Sequence, residues 1–453
     1  MVSCEFAVTI NRKELVASLF PLQEHWQPLS NLDLIVPPTD VSVYFCYRKS
    51  TKFTFASVVN VLKTAMAKAL ASYYAFAGEV VLNPRGEPEL LCNNRGVDFF
   101  EAYADVKLQD LDLYNPDACV NGKLVPEKKD GVLSVQVTRL KCGGVIVACT
   151  FDHRIADAYS ANMFLVAWAE IAQEKSLPPQ PSFQHSLLNP RHPGCYDASL
   201  DNMYVTLSSL PPRTDPEPGA DYIINRIYYV TAEDIDRLQS LASSNGHKRS
   251  KFEAFSAFLW QVVAKGTGDN AKGCKMGIVV DGRTRLSGGE GDKSSSMANY
   301  FGNVLSVPFG EASINELKTK PLSWVADSVH EFLEGAVTKE HFLGLVDWIE
   351  AHRPETVLPM IYGKGKEEGA AFVVSSGQRF PVRKVDFGWG RPAFGSYNFT
   401  WGDEVGYVMP MPSATEDGDW VVYMHLFKGH LEMLEIEAAD VFRPFTPDYL
   451  NLA

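Results

Sequence analysis

Residues 145–168, VIVACTFDHRIADAYSANMFLVAW, constrain the fold of this chain more than any other stretch. A β-branched apolar run reads as a buried strand, a polar turn delivers His153 and, four residues on, Asp157, and a mostly apolar helical pattern follows. A strand that ends in a polar turn stays packed in the core while projecting a side chain into a cleft. Two readings of the pair stand side by side. In one, His153 is a base held at the strand exit. In the other it is a satisfied core histidine, and Asp157 is the N-cap of the next helix, its carboxylate accepting from orphan N–H groups. Of the ten histidines only His153 has an aspartate four residues later.

With 453 residues, 46% of them hydrophobic, the chain has material for about two to four domains with sizeable cores. Fifty-five acidic against 42 basic residues leave a net charge of −13 with no basic block, which disfavours nucleic acid and anionic membranes as partners. An anionic ligand would need a local basic pocket. Eight cysteines are scattered with no C-x-x-C pair, so neither a metal site nor a disulfide framework is indicated, and reduced thiols in the cytoplasm fit best. Glu5, Arg12, Lys13 and Glu14 interrupt the first twenty residues, which excludes a long apolar signal core. No later run approaches the roughly 18 apolar residues of a membrane span.

Residues 41–47, VSVYFCY, read as a strand from their β-branched and aromatic content. Residues 55–77 place Val58, Leu62, Ala65, Met66, Ala69, Leu70 and Tyr73 at three- and four-residue steps, an amphipathic helix closed by Gly78. Residues 80–82 and 89–92 form a hairpin around Pro84-Arg85-Gly86, and 133–140 with 145–150 another around Gly143-Gly144. From 178 to 218 the chain is rich in Pro, Ser, Asn and Asp and lacks a period, which reads as a crossover. The expected organisation is an N-terminal domain over residues 1–180, a crossover over 181–222 and a C-terminal domain over 223–453. In the second domain, 223–230 and 276–280 read as strands, 232–242, 251–264, 324–337 and 342–351 as helices, 286–296 as a loop, and 371–375 and 421–426 as extended. The fold class is α/β, each domain a mixed sheet with flanking helices.

Residues 379–390, RFPVRKVDFGWG, combine an acid, aromatic rings and two glycines. Glycines flanking Trp389 let the backbone approach another segment closely, and the indole covers apolar surface there, so the segment reads as a structural clasp.

Together, HRIAD at 153–157 and DFGWG at 386–390 resemble the plant BAHD acyltransferases. LSNLD at 29–33, VQVT at 135–138, CGG at 142–144 and NYFGN at 299–303 reinforce the resemblance, which covers nearly the whole chain. Within the family, HWQPLSNLDLIVPP and FDHRIADAYSANMFLVAWAEIAQ are most similar to the group that acylates coniferyl alcohol, a group that also includes spermidine hydroxycinnamoyl transferases. Ala158 stands where the family usually has Gly, and Asp152 where it has a second His.

The resemblance implies the two-domain CoA-dependent acyltransferase fold, no permanently bound cofactor, acyl-CoA as co-substrate, and a monomer. It implies transfer of an acyl group to the hydroxyl of a phenylpropanoid alcohol such as coniferyl alcohol. N-acylation of spermidine or another amine, O-acylation of shikimate, and a catalytically silent metabolite-binding relative are the alternatives. His153 is then the general base, since an unperturbed imidazole is largely neutral at pH 7. Asp157 is implied to turn away from the substrate and to pair with an arginine of the second half, Arg283 or Arg285. Asp386, Gly388, Trp389 and Gly390 are implied to be structural and to border the channel between domains. Trp389 and backbone N–H groups are candidate oxyanion donors, and Arg379, with Trp389, a candidate acceptor contact that aligns with an arginine gripping the acceptor carboxylate in shikimate-using relatives. For the CoA phosphates, Lys248, Arg249, Ser250 and Lys251 at a helix start are the candidates, with a solvated helix end as the plain alternative.

Overall fold

Strand Asp40–Tyr47 lies between Val145–Asp152 and Phe394–Phe399, so the first and last thirds of the chain meet in one sheet. The computed structural model describes residues 5–175, 179–210, 221–244, 246–268, 273–287, 297–363, 369–399, 405–415 and 417–450. Its first large sheet runs in the order Val8–Val16, Val97–Ala104, Leu133–Leu140, Val145–Asp152, Asp40–Tyr47, Phe394–Phe399. Neighbours are antiparallel except Val97–Ala104 with Leu133–Leu140, which makes the sheet mixed. Helices Phe55–Ala69 and Ala158–Ala172 pack together, and Trp168 Nε1 donates to the Leu62 carbonyl at 3.0 Å across that contact.

The second large sheet takes its strands from the other half of the chain: Leu305–Ser306, Gly273–Asp281, Ala370–Ser375, Gly406–Pro412, Trp420–Phe427, Ile223–Val230 and Arg443–Pro444, with Phe309–Ser313 also paired to Gly273–Asp281. Helix Lys251–Gly266 lies against Ala232–Ala242, Leu322–Glu334 and Lys428–Glu437. Its burial of Phe255, Leu259, Trp260 and Val263 follows the three- and four-residue spacing of those side chains. Among the described residues no helix is long and apolar enough to cross a membrane.

The strands of the two sheets divide at the 181–222 crossover with one exception, Phe394–Phe399, which leaves the second half to complete the first sheet. Part of that crossover, 211–220, and most of the 286–296 loop lie outside the described residues. The helix expected over 55–77 ends at Ala69, and a separate 3-10 turn, Tyr74–Ala77, continues the apolar burial. Tyr73, between them, meets Phe164 and Phe301 edge-on, so the apolar spacing that ran past the helix reflects tertiary packing and not helical continuation.

Candidate active site

The site grows from the register of two strands. Asp152 pairs with Asp40 at the end of the first sheet, and the ladder extends one residue further, where His153 N donates to the Thr39 carbonyl at 3.0 Å. The chain then turns. Asp152 takes the Arg154 guanidinium at 2.9 and 2.6 Å and also accepts from the Arg154 amide at 3.0 Å. Asp157 caps helix Ala158–Ala172, accepting from Ser160 N at 2.9 Å. Ala158 is the first helical residue, and the positive-φ non-glycines are Asn94 and Glu174, so this turn does not need the glycine the family usually has there.

Asp157 is a cap and an ion-pair partner at once. Arg283 Nη1 lies 2.7 Å from Oδ2 and Nη2 lies 3.1 Å from Oδ1, while Val304 N donates to Oδ2 at 3.2 Å. Arg283 further donates to the carbonyls of Tyr300 and Gly302, to Ser160 Oγ and to Asp281. A fully buried guanidinium is tolerated because each of its nitrogens meets an acceptor. Arg285, the other candidate, is exposed. Both Asp157 oxygens are thereby occupied, which leaves the carboxylate no part in a relay to His153.

A second anchor holds the near side of the turn. Asn303 Nδ2 donates to the carbonyls of His153 and Arg154 at 3.0 and 3.1 Å and to Asp33 Oδ1 at 2.9 Å, and Asn303 N reaches the same Oδ1 at 2.7 Å. Asp33 Oδ2 accepts from Ser30 N at 2.9 Å and from Ser30 Oγ at 2.6 Å. Burial raises the Asp33 carboxyl above its ordinary range, opposed by nearby His185 and by these hydrogen bonds. For His153, burial lowers the pKa, opposed by a backbone hydrogen bond, by the charges of Asp157 and Asp152 and by a side-chain hydrogen bond with Asn303. The neutral imidazole is therefore favoured at neutral pH. Asn303 and Asp33 were visible in sequence only as parts of longer similar segments, and Asp281 only as the residue after the 276–280 strand; nothing in their spacing marks them as meeting.

The other candidates fall elsewhere. Arg379 is largely exposed, 3.4 Å from Asp281 Oδ2 and 5.1 Å from the Tyr159 ring centre, which Arg283 also faces at 4.5 Å. It thus stands one residue beyond the Asp157–Arg283–Asp281 chain of charges. Trp389 does not reach the turn. Its ring meets Tyr47 and Phe53 edge-on and stacks on Phe387. Tyr47 pairs with Val145, at the opposite end of the strands from Asp40 and Asp152. Seven strand steps separate those ends, roughly 24 Å. The assignments of Trp389 as acceptor contact and oxyanion donor are corrected by this distance.

The clasp itself is internally tied. Asp386 Oδ1 accepts from Gly388 N at 2.8 Å and Gly390 N at 3.0 Å, and both glycines have positive φ, 109° and 112°, that a side chain would strain. Gln173 Nε2 donates to the Asp386 carbonyl, fixing the clasp to the end of the motif helix. Trp389, Gly390, Arg48, Lys49 and Arg391 border a cavity of about 380 Å³ on this remote side.

The basic group at the helix start is largely spoken for. Arg249 is buried and donates through Nε and Nη2 to Asp327 Oδ1 at 3.0 and 2.5 Å, so its place among the phosphate ligands is corrected: the guanidinium is a packing ion pair. Ser250 is the N-cap of Lys251–Gly266, in a capping box with Glu253. Lys251 lies 2.5 Å from Asp236, both exposed, and Lys248 is exposed.

Two mixed sheets and a histidine turn clamped from the opposite half of the chain are the two-domain fold of the CoA-dependent acyltransferases. Residues 6–441 match the Transferase family, and the chain belongs to that family, the BAHD acyltransferases, which use an acyl-CoA as donor. It is 27% identical over 431 residues to shikimate O-hydroxycinnamoyltransferase of Nicotiana tabacum, covering 92% of this chain and 95% of that protein. It is 29% identical over 420 residues to anthranilate N-benzoyltransferase protein 3 of Dianthus caryophyllus, covering 90% and 88%. Among solved structures, vinorine synthase shares the fold with a TM-score of 0.70 at 20% identity, over 96% of this chain and 98% of that one.

Proposed function

We propose that this enzyme transfers an acyl group from its CoA thioester to the hydroxyl of a phenylpropanoid alcohol such as coniferyl alcohol, with His153 as general base. The observation that carries the reading is the setting of the histidine: half-buried at a strand exit, its pKa lowered so that the neutral form is favoured, its carbonyl held by Asn303, and beside an aspartate whose oxygens are already engaged. The acceptor oxygen attacks the thioester carbonyl as His153 takes its proton. The tetrahedral oxyanion then collapses, the carbon–sulfur bond breaks, and the imidazolium returns the proton to the departing thiolate, giving ester and free CoA. No acyl-enzyme is required.

We propose the aromatic acceptor from the sequence resemblance; the rings near the motif helix are buried and pack on one another in the core. Tyr397 Oη donates to Asn162 Oδ1 at 2.9 Å, and Phe380 and Phe399 stand 5.4 and 5.9 Å from the Tyr397 ring, with Tyr407 4.5 Å beyond Phe399. Arg379 is the proposed acceptor-side cation. Its contact with Asp281 supports a neutral alcohol over an acid, although one relative's name specifies shikimate and another's anthranilate. For the CoA phosphates we propose Lys248 and Lys251 with the helix start at Ser250, since the exposed Lys251–Asp236 pair is readily exchanged. The scattered cysteines of the sequence support the proposed reducing, cytoplasmic setting, and both anchors of the turn come from one chain, which supports a monomer.

The test is kcat/KM for coniferyl alcohol, spermidine and shikimate with one shared donor, products read by mass spectrometry. Coniferyl alcohol is expected to lead. Either competitor at tenfold above it, about 1.4 kcal/mol of transition-state preference, overturns the ranking.

A further inference from the structure

We infer that Asp33 is a positioning residue for His153, acting through the Asn303 amide; the inference rests on the reading of His153 as the base. Asp33 is buried near the start of the chain, and its partner Asn303 lies 270 residues away in the other half. Capping the short helix Asn31–Leu34 requires only the Ser30 side of the carboxylate. Oδ1 is given over to Asn303.

The chemistry of the amide explains why a carboxylate stands there. An asparagine side chain has a donor end and an acceptor end of nearly equal shape, and surroundings select between them. The Nδ2 end faces three acceptors: Asp33 Oδ1 and the carbonyls of His153 and Arg154. Turned over, the amide oxygen would meet three oxygens. The two carbonyls alone are part of a turn and can shift; the Asp33 carboxyl is fixed by Ser30 on its far side and accepts from the Asn303 amide N–H as well. It therefore sets which end of Asn303 faces the turn, and with it the position of the two peptide groups that follow His153.

Backbone geometry is fitted to this contact. Gly302 has φ of +144°, and a Cβ there would lie 3.0 Å from Tyr300 Cε1 and 3.3 Å from Asp33 Oδ1. Segment 300–304 also supplies the Tyr300 and Gly302 carbonyls to Arg283 and the Val304 amide to Asp157. One strip of the second half thus joins both anchors, and Asp33 is the terminus of the nearer one.

The test is Asp33→Asn in the full chain, with thermal melting as a check of folding. Expected are a kcat about 10- to 100-fold lower, KM for the acyl-CoA within about twofold, and a displaced acid limb of kcat against pH. In a double-mutant cycle with Asn303→Ala, the two losses are expected to be far less than additive. A folded Asp33→Asn enzyme with wild-type kcat, or losses that simply add, overturns the role. Should Asp33→Asn fail to fold, Asn303→Ala alone is read against the same three expectations, and wild-type kcat there overturns it equally. His153→Ala is run beside them: turnover surviving in that variant refutes the base assignment, whereas an inactive His153→Ala with an unimpaired Asp33→Asn refutes only the positioning role.

Discussion

Arg283 grips Asp157 through both carboxylate oxygens, at 2.7 and 3.1 Å, with 2% of one side chain and 1% of the other exposed. This pair joins the two halves of the chain at the helix that follows the His153 turn. Its stabilising value comes from completeness: the surrounding carbonyls, Ser160 and Asp281 satisfy the guanidinium that Asp157 alone would not.

Removing one member strands a buried charge. Asp157→Ala and Arg283→Ala are each expected to cost about 3–5 kcal/mol, visible as a large fall in melting temperature together with lost turnover. Asp157→Ala that abolishes turnover with an unchanged melting temperature would show that the carboxylate acts in the chemistry after all.

His153→Ala behaves differently. With His153 as the proposed base, it is expected to lower kcat by about 10²- to 10⁴-fold with little change in melting temperature, because proton transfer and not an anchor would be lost. In the wild type, burial lowers the His153 pKa, so the active neutral form persists below the ordinary value of 6.5. The kcat/KM profile should accordingly be flat from neutral pH down past 6.5 and fall only on the acid side of it. An acid limb centred above 6.5 contradicts the environment described for the ring.

Trp389→Phe separates the clasp from the chemistry. The indole lies at the far end of the first sheet from His153, so kcat and KM should stay within about twofold of wild type. Trp389→Ala should cost roughly 2 kcal/mol, less than a fully buried aromatic, through its contacts with Tyr47, Phe53 and Phe387. A selective loss of turnover in Trp389→Phe at unchanged stability would place the indole in the reaction.

The course of the main elements was legible because their periods are local. Strand Val145–Asp152, its hairpin with Leu133–Leu140, and helices Ala232–Ala242 and Lys251–Gly266 all fall where apolar spacing and turn residues put them. Phe394–Phe399 was not legible. Every residue of FGSYNF is buried, Ser396 and Asn398 included, so the alternation that betrays a half-exposed strand is missing. Val97–Ala104 carries Asp98 and Glu101 and pairs in parallel with a strand some thirty residues on, which no turn signal announces. At the site, His153 and Asp157 were marked by spacing, whereas Asp33, Asp281 and Asn303 became partners only through tertiary contact. The basic run at 248–251 misled for the same reason: sequence shows four polar side chains together but not that Arg249 turns inward to Asp327.

The last prediction concerns acid stability away from the site. His341 is half-buried at the start of helix Lys339–His352, with Nε2 2.7 Å from Ser306 Oγ, and burial lowers its pKa to about 4. In the unfolded chain the same imidazole titrates near 6.5. Above that value neither state is protonated and the group adds no pH dependence. As pH falls between about 6.5 and 4, the unfolded state takes up the proton first, so stability is lost over that window; from pH 7 to 5 the loss is about 2 kcal/mol. Ser306 is fully buried and is hydrogen-bonded by Tyr204 as well, so protonated His341 cannot be met by a simple turn of the hydroxyl towards solvent. His341→Gln keeps a polar contact for Ser306 without a titrating group. Its melting temperature should therefore drop less than that of wild type between pH 7 and pH 5, by an amount corresponding to that free energy. Parallel falls in the two proteins would mean that His341 is not buried in the neutral form.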